Sequence, residues 1–273
     1  MNKNRIVVLG DGFLGQAFAR RGYEVWGRDK FEWIGINFPP EYLRGRIRGD
    51  VDAVINTIGI SDTRFCEDNE NWDLIHSVNS ELPGYLSRQC FGDAAFVHIS
   101  TGCLYDTRDV PQAEDAFKSA HCNYVVSKWI GELGCNQDRD IIIRPRLLFD
   151  SHKPVEGKRN NLLCKMQEFS AFVSEFNTIT SCDTIVEATQ ALLDGDAHGV
   201  FNVGNTGEYT TYGMADALGL TGENTEIINE KELHESQGLY LVNNLMDMSK
   251  LSEYYIPRDA LVELKRCKEL LDD

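Results

Sequence analysis

Tyr124 and Lys128 are the residues whose types and spacing most clearly suggest chemistry. Residues 124–134 have apolar side chains at helical spacing, so these two side chains, four positions apart, should lie on one helix face. A free tyrosine has a pKa of about 10 and is a poor acid–base group at neutral pH. Because a neighbouring ammonium favours the phenolate, the pair predicts a tyrosine that exchanges a proton with a substrate.

A glycine-rich turn near the start of the sequence predicts a dinucleotide site. It has the spacing G-x-G-x-x-G and lies between an apolar strand, residues 6–9, and a helix, residues 13–21. At this spacing Gly10 permits a tight turn, Gly12 lets the backbone approach a pyrophosphate, and Gly15 lets the helix pack against the strand. With the phosphates on the helix N-terminus, the residues expected to bind the cofactor are Gly10, Gly12, Phe13, Leu14 and Gly15.

The end of the second predicted strand, residues 23–26, should face the adenosine ribose of that cofactor. The residues that follow include Arg28, Asp29 and Lys30. An acidic side chain there accepts hydrogen bonds from a free 2′-hydroxyl, whereas an arginine accommodates a 2′-phosphate. The mixed set favours NADP(H), held by Arg28, and leaves NAD(H) as an alternative. A third interpretation makes Arg28 and Lys30 solvated loop charges.

Short apolar strands alternate with helices through the first half of the chain, which predicts an α/β fold with a doubly wound, Rossmann-type parallel sheet. The strands contain few polar residues, as expected for a sheet that is covered on both faces. The strand at 95–100 should deliver the Thr101 hydroxyl to the carboxyl edge of the sheet. The predicted strands are residues 6–9, 23–26, 53–58, 95–100 and 141–143, and the predicted helices are residues 13–21, 72–90 and 124–134.

The alternation loosens after Pro145, which predicts a second part of the chain with a different organisation. We expect an NAD(P)-binding Rossmann domain over residues 1–145, to which residues 180–204 return. A smaller C-terminal substrate-binding lobe would consist of residues 146–179 and 205–273. Open α/β sheets bind ligands at the carboxyl ends of their strands, so the lobe should lie against that edge.

The composition excludes several classes of protein. The 273 residues carry a formal net charge of −16, and such an acidic excess is repelled by nucleic-acid backbones and by anionic membrane surfaces. No apolar run approaches the ~18–20 residues that span a bilayer, and no signal-type segment precedes the first strand, so we expect a cytoplasmic protein with no membrane partner. The eight cysteines are scattered without the spacing of a zinc site, so we expect no metal.

Further motifs complete an ordered set. The segment Asn56-Thr57-Ile58-Gly59 belongs to the end of the third predicted strand, and Arg144-Pro145 follows the helix of Tyr124 and Lys128. With the glycine turn and Thr101, this order resembles the extended short-chain dehydrogenase/reductase family, whose members work on nucleotide-activated sugars. The resemblance implies a nucleotide-sugar substrate, contacts of residues 56–59 with the cofactor, and compatibility with a homodimer.

The resemblance also implies how the residues would reduce a sugar carbonyl. Hydride would pass from the nicotinamide to C4 of a 4-keto sugar while Tyr124 donates a proton to the oxygen. Lys128 would lower the pKa of the phenol and hold the cofactor ribose. Thr101 would form a hydrogen bond with the carbonyl oxygen.

Within this family the chain most resembles the bifunctional 3,5-epimerase/4-reductases that make nucleotide-L-rhamnose, which are related to dTDP-4-dehydrorhamnose reductase and GDP-L-fucose synthase. A carbonyl at C4 acidifies the hydrogens at C3 and C5, so epimerisation needs one group to remove a proton and another to return one from the opposite face. The resemblance assigns these roles to Cys103 and Lys165. On their own, these residues would be a small buried side chain and an ordinary helix lysine. The segments that carry the resemblance are residues 100–106, 161–166, 199–207 and 243–251.

Asn161 and Asn243 are candidate ligands of the sugar or its diphosphate, with loop capping as the alternative for each. Residues 139–165 contain seven basic and three acidic side chains, a local excess of +4 that would suit a diphosphate. Relatives place an arginine just before the segment that matches Asn243, where residues 239–242 of this chain are Leu-Tyr-Leu-Val. The usual anchoring of the nucleotide phosphates is therefore left open.

Two alternatives to the bifunctional enzyme follow from the same motifs. One is a 4-dehydrorhamnose reductase without epimerase activity, supplied by a separate epimerase. The other is a non-catalytic NAD(P)-binding regulatory protein. The presence of Thr101, Tyr124 and Lys128 together argues against the second alternative, because a sensor has no need of all three.

Overall fold

A computed structural model gives the fold and describes residues 5–31, 51–89, 94–106, 108–153, 161–237 and 243–272. The strands, in chain order, are β1 (Arg5–Leu9), β2 (Glu24–Trp26), β3 (Val51–Asn56), β4 (Ala95–Ile99), β5 (Arg108–Gln112), β6 (Ile141–Arg144), β7 (Leu148–Phe149), β8 (Ala171–Val173), β9 (Phe176–Asn177), β10 (Thr180–Ser181), β11 (Gly199–Asn202), β12 (Tyr209–Thr210), β13 (Glu226–Ile228) and β14 (Asn244–Met246). The α-helices are α1 (Phe13–Arg20), α2 (Thr63–Glu67), α3 (Trp72–Ile75), α4 (Leu82–Arg88), α5 (Asn123–Leu133), α6 (Leu162–Met166), α7 (Cys182–Asp194), α8 (Thr211–Ala217), α9 (Glu230–Gln237) and α10 (Ala260–Asp272).

The central sheet has the strand order β11-β6-β4-β3-β1-β2 over the described residues. Strand β1 pairs in parallel with β2 on one side and with β3 on the other, and β3 with β4 and β4 with β6 are parallel as well. The chain therefore reverses its direction of travel across the sheet at β1, which is where Rossmann-type sheets bind nucleotides. The predicted α/β class with a doubly wound parallel sheet is confirmed.

The chain divides into two compact units. The first comprises Met1–Thr101, Ala120–Arg144 and Thr189–Phe201, and the second comprises Gly102–Ser119, Pro145–Ala188 and Asn202–Asp273. Residues 102–119, which we expected in the Rossmann domain, cluster with the second unit, and so do residues 180–188. Strand β5 explains the first difference, because it pairs with β14. The second unit is consequently nearly as long as the first.

Each unit has its own apolar core. In the first unit, side chains of the central strands such as Val7, Val54 and Phe96 pack with Leu82 and Leu86 of α4. In the second unit, Phe149, Leu163 and Phe172 pack with Met214 and Leu264. The second unit is built around short two-stranded sheets, β7 with β10, β8 with β13, β9 with β12 and β5 with β14. Over the described part of the chain, no helix is long and apolar enough to cross a membrane.

The long helix predicted for residues 72–90 is interrupted. Between α3 and α4, the residues His76–Glu81 form a π-helical segment. Pro83 in the first turn of α4 explains the interruption, because a proline has no N–H to donate to the preceding helical turn. A Cβ at Gly131 of α5 would overlap the carbonyl oxygen of Asn79, so this glycine allows α5 to lie directly against the π-helical segment. Cys90 lies outside the described residues.

Candidate active site

The glycine turn connects β1 to α1 as the spacing predicts. Gly10 has φ = +104°, a conformation that favours glycine, and a Cβ at Gly15 would overlap the carbonyl oxygen of Gly10. A Cβ at Gly12 would meet nothing within 4 Å, so the backbone before α1 faces open space. An open approach to a helix N-terminus suits the pyrophosphate of a dinucleotide. Gly10, Gly12, Phe13, Leu14 and Gly15 therefore fit such a cofactor.

Asn56 and Thr57, predicted to bind the cofactor, shape the backbone around this turn. The Thr57 hydroxyl donates to the carbonyl oxygens of Leu9 (2.9 Å) and Gly10 (3.1 Å). The Asn56 side chain is buried, and its Oδ1 accepts a hydrogen bond from the N–H of Ile58 at 3.1 Å. Both side chains thus hold the ends of β1 and β3 in place.

The residues after β2 combine both charge types. Arg28 is exposed, and a Cβ built at Gly27 would lie 2.5 Å from Oδ2 of Asp11 and 3.1 Å from Oδ1 of Asp29. Two carboxylates therefore flank the backbone at Gly27. Asp11 was not a predicted specificity residue, and the only sequence signal for it is its place inside the glycine motif.

Helix α5 carries the predicted catalytic pair. Tyr124 is half-buried and Lys128 is buried, and their separation of four residues places them on one face of the helix. The Lys128 ammonium donates a hydrogen bond of 2.8 Å to the backbone carbonyl oxygen of Ile99 at the end of β4. Thr101 is buried two residues further along. The first unit therefore contains Thr101, Tyr124 and Lys128 together with the glycine turn.

Burial is the main influence on Lys128. Desolvation lowers the pKa of its ammonium to about 8, against the opposing effect of the nearby Glu132 carboxylate. A Cβ at Gly59 would lie 3.5 Å from both Lys128 Nζ and Asn79 Oδ1, so these two polar atoms approach the same point of the backbone. Burial also holds the pKa of His98 well below its usual range, so this core histidine is neutral. Lys128 is thus a cation that the fold makes easier to deprotonate.

Asn79 is a site residue that the sequence did not reveal. Its amide accepts a hydrogen bond from the N–H of Ile60 (2.8 Å) and donates to the carbonyl oxygen of Ile60 (3.0 Å) and to the Ser127 hydroxyl (3.0 Å). It therefore ties the chain after β3 to α5. The available signal was a polar residue inside a predicted helix, four positions before Pro83. A proline can interrupt a helix, and π-helical segments, which are such interruptions, are frequent at functional sites.

Glu67 is a second residue that the sequence did not reveal. Its carboxylate accepts hydrogen bonds from the backbone N–H groups of Asn123 (3.2 Å) and Tyr124 (3.3 Å), the first two residues of α5. An acidic group at this position satisfies helix N–H groups and complements the helix dipole. Glu67 thus fixes the end of α5 from which Tyr124 projects.

Arg144 of the predicted Arg-Pro motif forms a buried ion pair with Glu132 of α5. The Arg144 guanidinium donates to the two carboxylate oxygens at 2.6 Å and 2.9 Å. Arg139 likewise pairs with Asp140 at 3.0 Å. Part of the local positive excess in residues 139–165 is therefore neutralised inside the first unit and is not available to a diphosphate. Lys158 and Arg159 of that stretch lie outside the described residues.

The second unit contains Cys103, Lys165, Asn161 and Asn243. Cys103 is half-buried in the 3₁₀ turn Gly102–Leu104, and Lys165 is half-buried in α6. The sulfur of Cys103 accepts a hydrogen bond of 3.3 Å from Nη1 of Arg146. From the sequence, no role could be assigned to Arg146 beyond its place among the seven basic residues.

Asn161 has the capping role that we held as its alternative. It is the N-cap of α6, and its Oδ1 accepts from the N–H of Leu163 (3.0 Å) and of Asp150 (3.2 Å). Its amide nitrogen donates to the carbonyl oxygens of Asp150 (2.8 Å) and His152 (3.0 Å). These four contacts use the full hydrogen-bonding capacity of the side chain, so they leave little for a ligand.

Asn243 is buried and bonded to other side chains. Its Oδ1 accepts from the amide of Asn177 at 2.7 Å, and its amide nitrogen donates to Glu230 at 3.3 Å. Residues 239–242, where relatives have an arginine, lie outside the described residues. The turn that carries Cys103 is anchored separately, because the Tyr105 hydroxyl donates to Oδ1 of Asn202 at 2.5 Å.

Comparisons with known proteins identify the family. The family described as "RmlD substrate binding domain" matches residues 6–232. The chain belongs to this family and thus to the extended short-chain dehydrogenase/reductases, which confirms the resemblance of its motifs. A comparison with curated protein sequences finds no match.

Solved structures share the fold over almost the whole chain. A dTDP-4-dehydrorhamnose reductase from Clostridium acetobutylicum has a TM-score of 0.81 at 20% identity, over 98% of this chain and 99% of that one. A UDP-rhamnose synthase from Acanthamoeba polyphaga mimivirus has a TM-score of 0.82 at 15% identity, over 99% and 100%. A dTDP-4-dehydrorhamnose reductase from Bacillus anthracis in complex with NADP has a TM-score of 0.78 at 16% identity, over 97% and 98%.

Proposed function

We propose that this protein is a nicotinamide-dependent reductase of a nucleotide-linked 4-keto-6-deoxyhexose, and that it also epimerises this sugar at C3 and C5 to give a nucleotide-L-rhamnose. The observation that carries the reductase is the buried Lys128, bonded to the end of β4 and on the same helix face as Tyr124. Family membership and the names of the solved structures of similar fold support the substrate class.

The residues of the first unit would carry the reduction. When bound, the reduced nicotinamide supplies the hydride that adds to C4. Tyr124 donates its phenol proton to the C4 oxygen, so that the carbonyl becomes a hydroxyl group. Lys128 stabilises the phenolate that remains, and the Thr101 hydroxyl donates a hydrogen bond to the oxygen as negative charge develops on it.

The reductase is tested by following the absorbance of the reduced nicotinamide with a panel of UDP-, dTDP- and GDP-linked 4-keto-6-deoxyhexoses. We expect oxidation only in the presence of one of these sugars and a loss of about 10²–10⁴-fold in kcat for Tyr124→Phe. Tyr23→Phe is the matched control, because the Tyr23 hydroxyl lies in the same unit and bonds to Gln190 of α7 at 2.6 Å. Full activity of Tyr124→Phe would remove Tyr124 from the mechanism.

Epimerisation is assigned to Cys103 and Lys165 of the second unit. Each would exchange a proton with carbon at C3 and C5, one removing it and the other returning it from the opposite face. The test is incorporation of solvent deuterium at these carbons. Cys103→Ser should abolish incorporation while it spares reduction of an already epimerised sugar, and Cys164→Ser, a half-buried thiol of α6, is the control. Incorporation in Cys103→Ser would exclude Cys103.

A reductase without epimerase activity is the second candidate. It differs from the first candidate in the incorporation of solvent deuterium. The wild-type protein would then reduce a sugar that is already epimerised and incorporate no deuterium at C3 or C5. A non-catalytic regulatory protein would bind the nicotinamide and oxidise none of it with any member of the panel.

The preferred cofactor is NADP(H), held through the exposed Arg28 at the end of β2. The similar fold of the Bacillus anthracis protein, which was solved with NADP, supports this choice. NAD(H) is a second candidate because Asp11 and Asp29 flank Gly27, and carboxylates accept hydrogen bonds from a free 2′-hydroxyl. The two are separated by the ratio of kcat/KM for NADPH and NADH.

The proposed location is the cytoplasm, because the eight cysteines are scattered singly along the sequence, as in a protein of a reducing compartment. A homodimer is the proposed assembly. Leu74 of α3 is 53% exposed and Leu133 of α5 is 67% exposed on helices that pack together, which suits a protein contact. Light scattering of the wild type and of Leu133→Glu tests this assembly.

A further inference from the structure

Arg146 is the bulkiest of the fully buried side chains in the described residues, with 1% of its surface exposed. It follows β6 by two residues, and its backbone N–H donates to the Thr180 hydroxyl at 3.0 Å. Its Nη1 donates to the sulfur of Cys103 at 3.3 Å. A guanidinium remains protonated at every pH at which the protein is folded, so this sulfur always faces a cationic donor.

The guanidinium is held from its other side. Nε and Nη2 of Arg146 both donate to Oδ1 of Asn177, at 3.1 Å and 2.6 Å. The amide nitrogen of Asn177 donates in turn to Oδ1 of Asn243, whose own amide nitrogen donates to Glu230. This chain of hydrogen bonds fixes which end of the Asn177 amide faces the guanidinium. As a result Nη1 is aimed at Cys103.

We propose that Arg146, oriented by Asn177, is a positioning residue that holds the Cys103 sulfur as the thiolate which removes the carbon protons during epimerisation. This inference rests on the epimerase activity proposed above. A hydrogen bond from a cation to an anionic acceptor is roughly twice as strong as one between neutral groups, so this contact is strongest when the sulfur carries the negative charge. In the chain of contacts described above, the carboxylate of Glu230 is separated from the guanidinium by two neutral amides.

The proton balance of the step is simple. The thiolate takes the proton from C3 or C5, and the electron pair of the broken C–H bond moves into the enolate formed with the C4 oxygen. The Lys165 ammonium then gives a proton to the opposite face of the same carbon, and the carbonyl is restored. Exchange with solvent returns the thiol to a thiolate and the amine to an ammonium.

Thiol reactivity tests the positioning role without any substrate. Iodoacetamide alkylation of Cys103 in the full chain is followed by mass spectrometry of its peptide as a function of pH. Asn177→Asp changes the shape of the side chain little but pairs the guanidinium with a carboxylate. We expect this variant to slow the alkylation of Cys103 at pH 7 about 10-fold. Arg146→Lys, which loses the fork of donors, should act in the same direction.

Cys164 provides a control inside the same molecule. It lies in the second unit, and burial already raises the pKa of its thiol. Its alkylation profile should be the same in all variants, whereas a general loss of structure would expose it and speed its reaction. A shift confined to Cys103 supports the proposal. A Cys103 profile that is unchanged in both Asn177→Asp and Arg146→Lys overturns it.

Deuterium incorporation at C3 and C5 then connects reactivity with function. In Asn177→Asp the ratio of incorporation to C4 reduction should fall about 10-fold, in step with the alkylation rate. If the wild type incorporates no deuterium, the epimerase proposal fails, although the alkylation result stands by itself. If the wild type incorporates deuterium and the ratio is unchanged in Asn177→Asp, Arg146 has no part in positioning the base.

Discussion

The ammonium of Lys128 donates a 2.8 Å hydrogen bond to the backbone carbonyl oxygen of Ile99. This contact ties α5 to the carboxyl end of β4, two residues before Thr101. A lysine fixed in this way keeps its charge inside the protein, on the helix face that it shares with Tyr124, rather than in solvent. Because burial lowers the pKa of Lys128 to about 8, the charge is lost at a pH that is accessible to measurement.

The first prediction concerns pH. Only the protonated lysine stabilises the phenolate, so kcat/KM for the reduced nicotinamide, which reports the free enzyme, should fall as the pH rises through about 8. Below that pH the lysine keeps its proton and contributes no pH dependence. Lys128→Arg stays protonated, so its lower activity should lack this alkaline fall. A wild-type profile that is flat up to pH 10 would contradict the role of Lys128.

The second prediction concerns Glu67, which accepts hydrogen bonds from the first two N–H groups of α5. Glu67→Ala should lower the free energy of unfolding by about 1 kcal/mol and kcat by ~10-fold, because the helix end that carries Tyr124 loses its anchor. Urea unfolding and steady-state kinetics measure the two effects. Asp68→Ala is the control, because Asp68 caps the neighbouring 3₁₀ turn Asn69–Asn71 instead. Equal kcat values in the two variants would refute the role of Glu67.

The third prediction concerns the buried pair of Glu132 and Arg144. Removing one partner leaves a buried charge without its counterion, so Glu132→Met should lower the free energy of unfolding by about 3–5 kcal/mol. The double variant Glu132→Met/Arg144→Met should recover most of this loss, since apolar side chains of similar volume can replace a buried ion pair. Urea unfolding followed by circular dichroism checks both. A double variant that is less stable than either single variant would show that the pair is needed for more than neutrality.

The fourth prediction separates the two cofactors. Arg28→Ala should raise KM for NADPH about 10-fold, a loss of about 1.4 kcal/mol, and leave KM for NADH within 2-fold, because only NADPH has a 2′-phosphate. Asp29→Asn should favour NADPH further by removing a negative charge. Arg20→Ala, in the last turn of α1, is the control. If the wild type prefers NADH and Arg28→Ala has no effect, the carboxylates of Asp11 and Asp29 set the preference.

The sequence predicted those parts of the site that depend on short spacing. The G-x-G-x-x-G turn and the pair Tyr124 and Lys128 each lie within one turn or helix, so local geometry determines them. Glu67 and Asn79 escaped prediction because each reaches α5 from about 50 residues away, and no local pattern marks such a contact. Arg144 could be placed after a strand, but its burial against Glu132 depends on the packing of α5 on the sheet.

The second unit was less predictable for a different reason. Most of its strands have two or three residues, too few to show the alternation by which a strand is recognised. Arg146 looked like one member of a basic stretch, and only the fold brings it to Cys103, 43 residues earlier. From the sequence, Asn161 could be assigned either to a ligand or to a cap, and its four backbone contacts, which show it as the cap of α6, depend on the fold around Asp150 and His152.

The most direct test of the central claim follows the hydride itself. The wild-type protein is given a nucleotide-linked 4-keto-6-deoxyhexose and reduced nicotinamide that carries deuterium at its C4 position, and the product is analysed by mass spectrometry and NMR. We predict one deuterium at C4 of the sugar, in a hydroxyl-bearing position, and no transfer above background in Tyr124→Phe. A product without deuterium at C4 would contradict the proposed reduction, and equal transfer in the two proteins would contradict the role of Tyr124 as proton donor.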